Sequence, residues 1–248
     1  MHQKIEEYAS NAWPALQTLV DDGWLLRFAD GYTKRSNSVN AIFKGSEDFL
    51  PEKIARAETL YRKAGLDTIF KITPFVPERL DGILEERGYA RADDSYVMLL
   101  DDLNAVAQPK LTNVEVFESL SQTWTKHFLA LSPGLSERSQ AAMQRMLSQS
   151  VLQTGYFTLY EEGVPVACGL GIIEDEAVGL FDIVTSEAHR NRGYGEQLIL
   201  NILKWAKENG ARLGYLQVLQ DNPPANRLYA KLGYRYLYSY WYRIKRMS

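Results

Sequence analysis

The amino-acid sequence predicts an α/β protein with a mixed sheet, built from two related units in tandem of which the first is incomplete. Three observations carry that reading. Strand-like and helix-like segments alternate along the chain, one stretch of the first half recurs without gaps in the second, and a glycine–arginine loop stands between a strand and a helix in the second half.

Residues 5–20 carry the periodicity of an amphipathic helix. Residues 23–29 (GWLLRFA) and 38–44 (SVNAIFK) read as strands, with Asp30-Gly31 as the turn signal between them. Helical spacing over 51–64 stops at Gly65; a strand follows at 67–73, a helix at 77–87 closed by Gly88, and a strand at 94–100. Residues 101–112 (DDLNAVAQPKLT) read as a linker, separating a first domain over 1–104 from a second over 112–248. Beyond it come a strand (113–118), helices near 121–131 and 136–149, paired strands at 154–161 and 164–174, and a strand at 178–185. A helix over 193–209, a strand over 211–219, a helix over 223–231 and a closing strand over 235–244 complete the chain.

The repeat sets Leu66–Tyr89 over Ala211–Tyr234 at an offset of 145 residues. Gly65 meets Gly210, Gly88 meets Gly233, and the Gly-Tyr pair that closes the helix recurs. A shorter match sets 22–31 over 154–163 at an offset of 132, both read as hairpins with an acidic-Gly turn. Two matches in the same order predict a duplicated α/β unit.

Composition narrows the function. Apolar residues at 46% and charged residues at 24% describe an ordinary globular chain, and 248 residues suffice for one large or two small domains. A net charge of −3 gives no electrostatic case for nucleic acid or an anionic membrane as partner. No apolar run approaches the roughly 20 residues of a membrane helix, and the charged start MHQKIEEYASNAW does not read as a signal peptide, so a cytoplasmic location is expected. A single cysteine, Cys168, excludes an internal disulfide, and three histidines without ligand spacing argue against a metal.

The sharpest feature is Arg190-Asn191-Arg192-Gly193-Tyr194-Gly195, between a strand and an amphipathic helix. A helix N-terminus offers unpaired N–H groups and the positive end of the helix dipole, Gly193 and Gly195 let the backbone approach an anion, and Arg190 and Arg192 add charge that matches phosphate oxygens. A solvated arginine-rich turn is the plainer alternative for such a string taken alone. A dinucleotide fold is disfavoured, because the glycines follow a late strand and the GxGxxG spacing fails at Gln197-Leu198.

RxxGxG after a strand resembles the pyrophosphate signature of the GNAT acetyltransferase superfamily. Asn222-Pro-Pro-Ala225-Asn-Arg-Leu228-Tyr229-Ala-Lys-Leu-Gly233-Tyr234 is similar to the element that closes the GNAT domain. The resemblance spans 113–244, and the whole chain looks like a tandem GNAT protein with a degenerate first unit. It implies an N-acetyltransferase using acetyl-CoA as co-substrate, without metal, acting on a small-molecule or peptide amine. Ile183 and Val184 would pair by backbone with the pantetheine arm and polarise the thioester carbonyl, Arg190 to Gly195 would hold the pyrophosphate, and Asn222 would contact the arm or help splay the strands. Tyr229 would protonate the departing thiolate. For the general base, Asp182, Glu187 and a water chain stay open, with Asp182 favoured because it lies beside the presumed acetyl site and an Asp on a central strand is costly unless paired. Transfer of a longer acyl group and a CoA sensor without turnover remain alternatives.

Other residues read less sharply. Packing of its ring is the plainer alternative for Tyr229, His189 beside the arginines is expected to be exposed, and Cys168 is expected as a small core residue. Tyr236, Tyr238, Tyr240 and Tyr242 recur at period two and are expected on one face, as sheet packing or as an acceptor wall. Trp24, Arg27, Tyr32, Arg35 and Asn37 form a polar–aromatic group in the first unit that is a further candidate for the acceptor side. At the 145-residue offset Leu84 replaces Tyr229, Pro77 replaces Asn222, and Gly45–Leu50 (GSEDFL) replaces the phosphate loop, so acidic residues would stand where an anion should bind.

Overall fold

The first half runs α1 (His2–Ala12), β1 (Gln17–Asp21), β2 (Trp24–Phe28), β3 (Val39–Asn40), α2 (Leu50–Lys63), β4 (Thr68–Ile72), α3 (Leu80–Glu86) and β5 (Ala90–Leu100). The second runs β6 (Val114–Phe117), α4 (Gln122–Leu131), α5 (Glu137–Ser148), β7 (Gln153–Glu161), β8 (Val164–Glu174) and β9 (Ala177–Thr185), then α6 (Tyr194–Glu208), β10 (Leu213–Leu219), α7 (Pro223–Lys231) and β11 (Arg235–Lys245). This computed structural model describes residues 1–43 and 48–247.

The repeated glycines have one structural cause. Helices α2, α3, α6 and α7 each end in a six-residue closure: Leu66 N–H donates to the carbonyl of Tyr61, Tyr89 to Leu84, Ala211 to Ala206 and Tyr234 to Tyr229, all at 2.9–3.0 Å. That closure requires a left-handed residue just before the donor, where a side chain is strained, and Gly65, Gly88, Gly210 and Gly233 stand there with φ between 69° and 94°.

Among the described residues all strands join one sheet in the order β1-β2-β3-β4-β11-β5-β10-β9-β8-β7-β6. The last strand of the chain therefore lies inside the first unit, antiparallel to β4 on one side and to β5 on the other. In exchange β5 lies against β10 of the second unit, antiparallel, from Gly214↔Leu100 to Leu219↔Ser95. The central pair obeys the repeat: Ala90 faces Ile244 and Arg235 faces Leu99, and at the 145-residue offset Ala90 corresponds to Arg235 and Leu99 to Ile244. The two units are thus related by a pseudo-two-fold axis through the β5–β11 pair, and each completes its sheet with the other's closing strand.

Helices cover both faces. On one, α1, α4 and α5 pack over Trp13, Trp124, Tyr156, Phe181 and Tyr215. On the other, α6 and α7 pack over Leu216, Val218 and Phe157, while α2 and α3 cover Phe70, Ile72 and Trp24 in the first unit. Helix α1 reaches across to the second unit: Tyr8 donates its hydroxyl to Asp175 at 2.9 Å, and Trp13 stacks on Phe181 with centroids 5.5 Å apart.

Several expectations are corrected. The first helix ends at Ala12 rather than continuing to 20, because Trp13 precedes Pro14, which restricts the residue before it and lacks an N–H; residues 17–21 form an edge strand. The tight hairpin turn of the first unit is Asp22-Gly23 (φ 43° and 80°), matching Glu162-Gly163 (φ 50° and 79°) between β7 and β8. The offset of 132 therefore misaligns the hairpins, since Gly23 corresponds to Gly163 and Asp30-Gly31 opens the longer connection from β2 to β3. The four closing tyrosines do not share a face. A bulge between Tyr236 and Tyr238 turns Tyr236 outward, 56% exposed against Tyr96, while Tyr238, Tyr240 and Tyr242 are buried on the other side.

Removal of residues from Arg235 onward should unfold more than the second unit. Amide protection in β4 and β5 is expected to fall together with that in β10. A truncated chain that keeps β4 and β5 protected would mean that the first unit does not depend on the exchanged strand.

Candidate active site

β9 and β10 are parallel and paired only from Ala177↔Leu213 to Leu180↔Leu216, yet β9 continues to Thr185 and β10 to Leu219. The strands therefore diverge at their C-terminal ends, the usual position of ligand sites in such sheets. Divergence starts at a bulge in β9: Leu170 faces Phe181 and Cys168 faces Val184, so Asp182 and Ile183 together oppose Gly169. Asp182 takes a left-handed φ of 49°. A Cβ on Gly169 would come within 2.5 Å of Ile183 Cδ1, so glycine there is a condition of the bulge. Beyond Leu180, the backbone of β9 facing β10 is a free strand edge.

The loop that follows is shaped for an anion. Asn191 and Gly193 are left-handed (φ 63° and 84°), and alternation of backbone hand turns successive N–H groups into one hollow. The first bond of α6 runs from Gln197 N–H to Gly193 O at 3.0 Å, leaving the preceding N–H groups directed out of the helix end. A cleft of about 640 Å³ joins these features. Ile183 and Val184 line it from β9, Arg190, Asn191, Gly193, Tyr194 and Gly195 from the loop, and Asn222 and Tyr229 from α7. Asn222 also caps α7 by accepting from Ala225 N–H at 3.3 Å, and Asn226 bonds the carbonyls of Leu219 and Gln220, which fixes that helix to the end of β10.

Not every expected residue is there. Arg192 is exposed and does not line the cleft, and neither does Asp182, which stands on the bulge next to Ile183. His189, expected to be exposed, is half-buried on the cleft wall, with Nδ1 2.9 Å from Ser186 Oγ. Sequence reasoning missed Thr185, Glu196, Ala225 and Leu228, which also line the cleft. Ala225 and Leu228 were readable as the helical neighbours of Asn222 and Tyr229 on one face of α7. Glu196 would repel an anion, but Lys231 pairs with it at 2.5 Å.

The chemistry-bearing groups differ in setting. Asp182 is partly accessible as a residue, but its Oδ2 is sealed from solvent without a hydrogen-bond partner, and burial raises its carboxyl to about 6 against the opposing charge of Arg35. Glu187, the alternative base, is 88% exposed at its side chain and lies 3.7 Å from Arg190. Tyr229 is 9% exposed, its ring edge-on to Tyr234 at 5.9 Å, and burial pushes its hydroxyl up to about 12. Cys168 is fully buried, and burial raises its thiol to about 11, so it carries no nucleophilic thiolate. Among the described residues no group of His, Cys, Asp and Glu is placed to hold a metal, and no helix is long and apolar enough to cross a membrane.

Residues 3–243 match a family model described as probable histone acetyltransferase Rv0428c, C-terminal. The chain belongs to that family of GNAT acetyltransferases. It is 32% identical to the uncharacterized N-acetyltransferase YobR of Bacillus subtilis (strain 168), the alignment covering 98% of both chains. Its fold is that of a GCN5-related N-acetyltransferase from Kribbella flavida, with a TM-score of 0.76 over 99% of this chain and 96% of that one at 16% identity. A tandem GNAT protein from the clavulanic acid biosynthesis pathway is similar over 78% of this chain and 69% of its own, with a TM-score of 0.59 at 16% identity.

In this acetyltransferase the first unit also reaches the site. The connection from β2 to β3 is tied from inside by two buried polar side chains. Asn37 accepts from the N–H groups of Ala29 (2.7 Å) and Gly31 (3.0 Å) and donates to the carbonyls of Tyr32 and Thr33 (both 2.8 Å). Arg27 donates to the carbonyls of Arg35 (2.8 Å), Ser10 (3.0 Å) and Trp13. The Trp13 indole, stacked on Phe181 beside Asp182, donates to Thr33 Oγ1 at 3.0 Å. Of the polar–aromatic group expected from sequence, Arg27 and Asn37 thus build the loop, Trp24 packs in the first unit's core, and Tyr32 and Arg35 lie near Asp182. Asn37→Ala removes four bonds to the backbone, two of them fully buried, and should destabilise the protein by on the order of 3 kcal/mol. The melting temperature should drop by about 6–12 °C. An unchanged melting curve would remove Asn37 from the loop's support.

Proposed function

We propose that the enzyme transfers the acetyl group of acetyl-CoA to a primary amine by direct attack on the thioester. The observation that carries this reading is the divergence of β9 and β10, which opens on the anion-shaped loop at one end and on Tyr229 at the other, beside the bulge that carries Asp182. The residues fit the co-substrate: the hollow at Asn191–Gly195 suits a pyrophosphate, and the free edge of β9 at Ile183 and Val184 suits a pantetheine arm laid down as an added strand. When bound, acetyl-CoA supplies the activated acyl group.

The chain's own groups then divide the work. A backbone N–H of Ile183 or Val184 at the bulge polarises the thioester carbonyl, and its fixed direction costs no reorganisation. Asp182, ionised above about pH 6, takes the proton from the attacking amine. Tyr229 keeps its proton throughout the neutral range and donates it to the departing thiolate. The first unit is read as non-catalytic: Leu84, at the place of Tyr229, is sealed in its core. Of the loop expected to replace the phosphate loop there, Gly45, Ser46 and Glu47 lie outside the described residues.

The rate should rise with pH through about 6 and level off above 7, because the base form of Asp182 is the active one. Asp182→Asn should remove that rise and lower kcat by roughly a hundredfold to ten-thousandfold. The variant should be at least as stable as the wild type at neutral pH. A carboxyl raised by burial contributes its stability below its unfolded value and loses it as pH climbs through the folded one. Tyr229→Phe should lower kcat with little change in co-substrate affinity. A pH rise that survives in Asp182→Asn would move the base elsewhere.

Replacing Gly193 and Gly195 with valine forces a β-branched residue into a left-handed backbone and sets a Cβ 3.1 Å from Thr185 Oγ1. Calorimetry with coenzyme A is expected to show one site per chain in the wild type and none in this double variant. Saturation at two per chain would give the first unit a site of its own.

A further inference from the structure

Beside the bulge where β9 and β10 part, two opposite charges lie near one another without touching. No ion pair within 4.0 Å is formed by Asp182 or by Arg35 among the described residues, although each feels the other's charge. Both residues keep partial solvent exposure, whereas Tyr32, Tyr240 and Tyr242 around them are 6%, 2% and 3% exposed. Arg35 also feels Tyr240, whose hydroxyl donates to Gln217 Oε1 at 3.3 Å on β10. Gln217 Nε2, like Asp182 Oδ2, is enclosed without a partner.

Other acidic groups near this network are already engaged. Glu6 is buried between Lys71 and the Tyr238 hydroxyl, which donates to it at 2.6 Å, and Lys71 lies over the Tyr240 ring at 4.2 Å. The Arg35 guanidinium is therefore not needed to neutralise Glu6. Its placement has been secured at some expense. Thr33, two residues earlier, is left-handed (φ 54°), a strained state for a β-branched residue, and Arg27 ties the Arg35 carbonyl of the same loop to the carbonyls of Ser10 and Trp13 at the end of α1.

We propose that the acceptor is a small zwitterionic amine of the amino-acid type, held across the two units with its carboxylate on Arg35 and its amino group at Asp182. A cation and an anion held unpaired and partly desolvated complement a molecule that carries the reverse pair, and a planar guanidinium matches a carboxylate with two parallel hydrogen bonds. An amine lacking the carboxylate leaves the Arg35 charge unpaired, which is the kind of penalty that makes a polar pocket selective. Arg35 is accordingly a specificity residue contributed by the non-catalytic unit. This reading rests on the amine-acetylating role proposed above.

The test uses product-side probes, so that it does not depend on turnover. N-acetyl-L-amino acids and their carboxamides are titrated calorimetrically into the full-length protein saturated with coenzyme A. The acids are expected to bind at least tenfold more tightly than the amides. Arg35→Gln should abolish the difference while coenzyme A affinity stays within twofold, and Arg35→Lys should retain part of it. Equal binding of acids and amides, or binding of neither, overturns the proposal, and this wild-type comparison needs no variant to fold. A parallel rate assay with free amino acids and their amides separates the two readings. Acid-selective probe binding without any acetyl transfer keeps the acceptor site and sinks the transferase mechanism. Transfer to amines regardless of a carboxylate does the reverse.

Discussion

The antiparallel pair of β5 and β11 is the interaction on which the other parts of this molecule rest. These are the equivalent strands of the two units, and each lies with the other unit's sheet at its back. Without β11, β4 has no neighbour on that side and β5 loses one edge; without β5, β10 has no neighbour opposite β9. The divergence of β9 from β10 needs β10 to be held firmly from behind, and β5 holds it over six residue pairs. The opening for the co-substrate is therefore a consequence of strand exchange between the units as much as of the bulge at Asp182.

The same arrangement explains how a unit without a phosphate loop still matters. Because the halves are related by a pseudo-two-fold axis, α1 and the β2–β3 connection of the first unit fall on the face of the second where β9 bulges. Trp13 stacked on Phe181, and bonded to Thr33, fastens that connection one residue from Asp182. Arg27 and Asn37 do by hydrogen bonding what a regular element would do by its ladder. They fix an irregular segment firmly enough to hold Thr33 in a strained backbone state.

Features set by neighbours in sequence were legible before the structure. Helix ends were found because a left-handed closure leaves glycine as its mark, and the anion loop because its arginines, glycines and helix start are contiguous. The site on α7 was half legible: Asn222 and Tyr229 stood out as residue types, while Ala225 and Leu228 needed the helix to be drawn. What escaped has physical reasons as well. Two strands of one repeat fit either of two equivalent slots, so nothing local says that β11 crosses into the first unit. The bulge that turns Tyr236 away depends on pairing with β5, and the first helix was overrun because amphipathic spacing continued past Trp13-Pro14. Arg35 was one polar residue among several, and what sets it apart from Arg27 is distance from carbonyls rather than identity.

The position of β11 also bears on how the chain is made. Synthesis delivers β4 and β5 early, with a slot between them that only residues 235–245 can fill. The strands of the second unit must therefore be made before the first half can close its sheet, so the two units complete their sheets together rather than one after the other. During that interval the open edges of two apolar strands are exposed to pairing with other nascent copies. A chaperone that shields them until the final strand arrives has more to protect here than in a protein whose first half closes on itself.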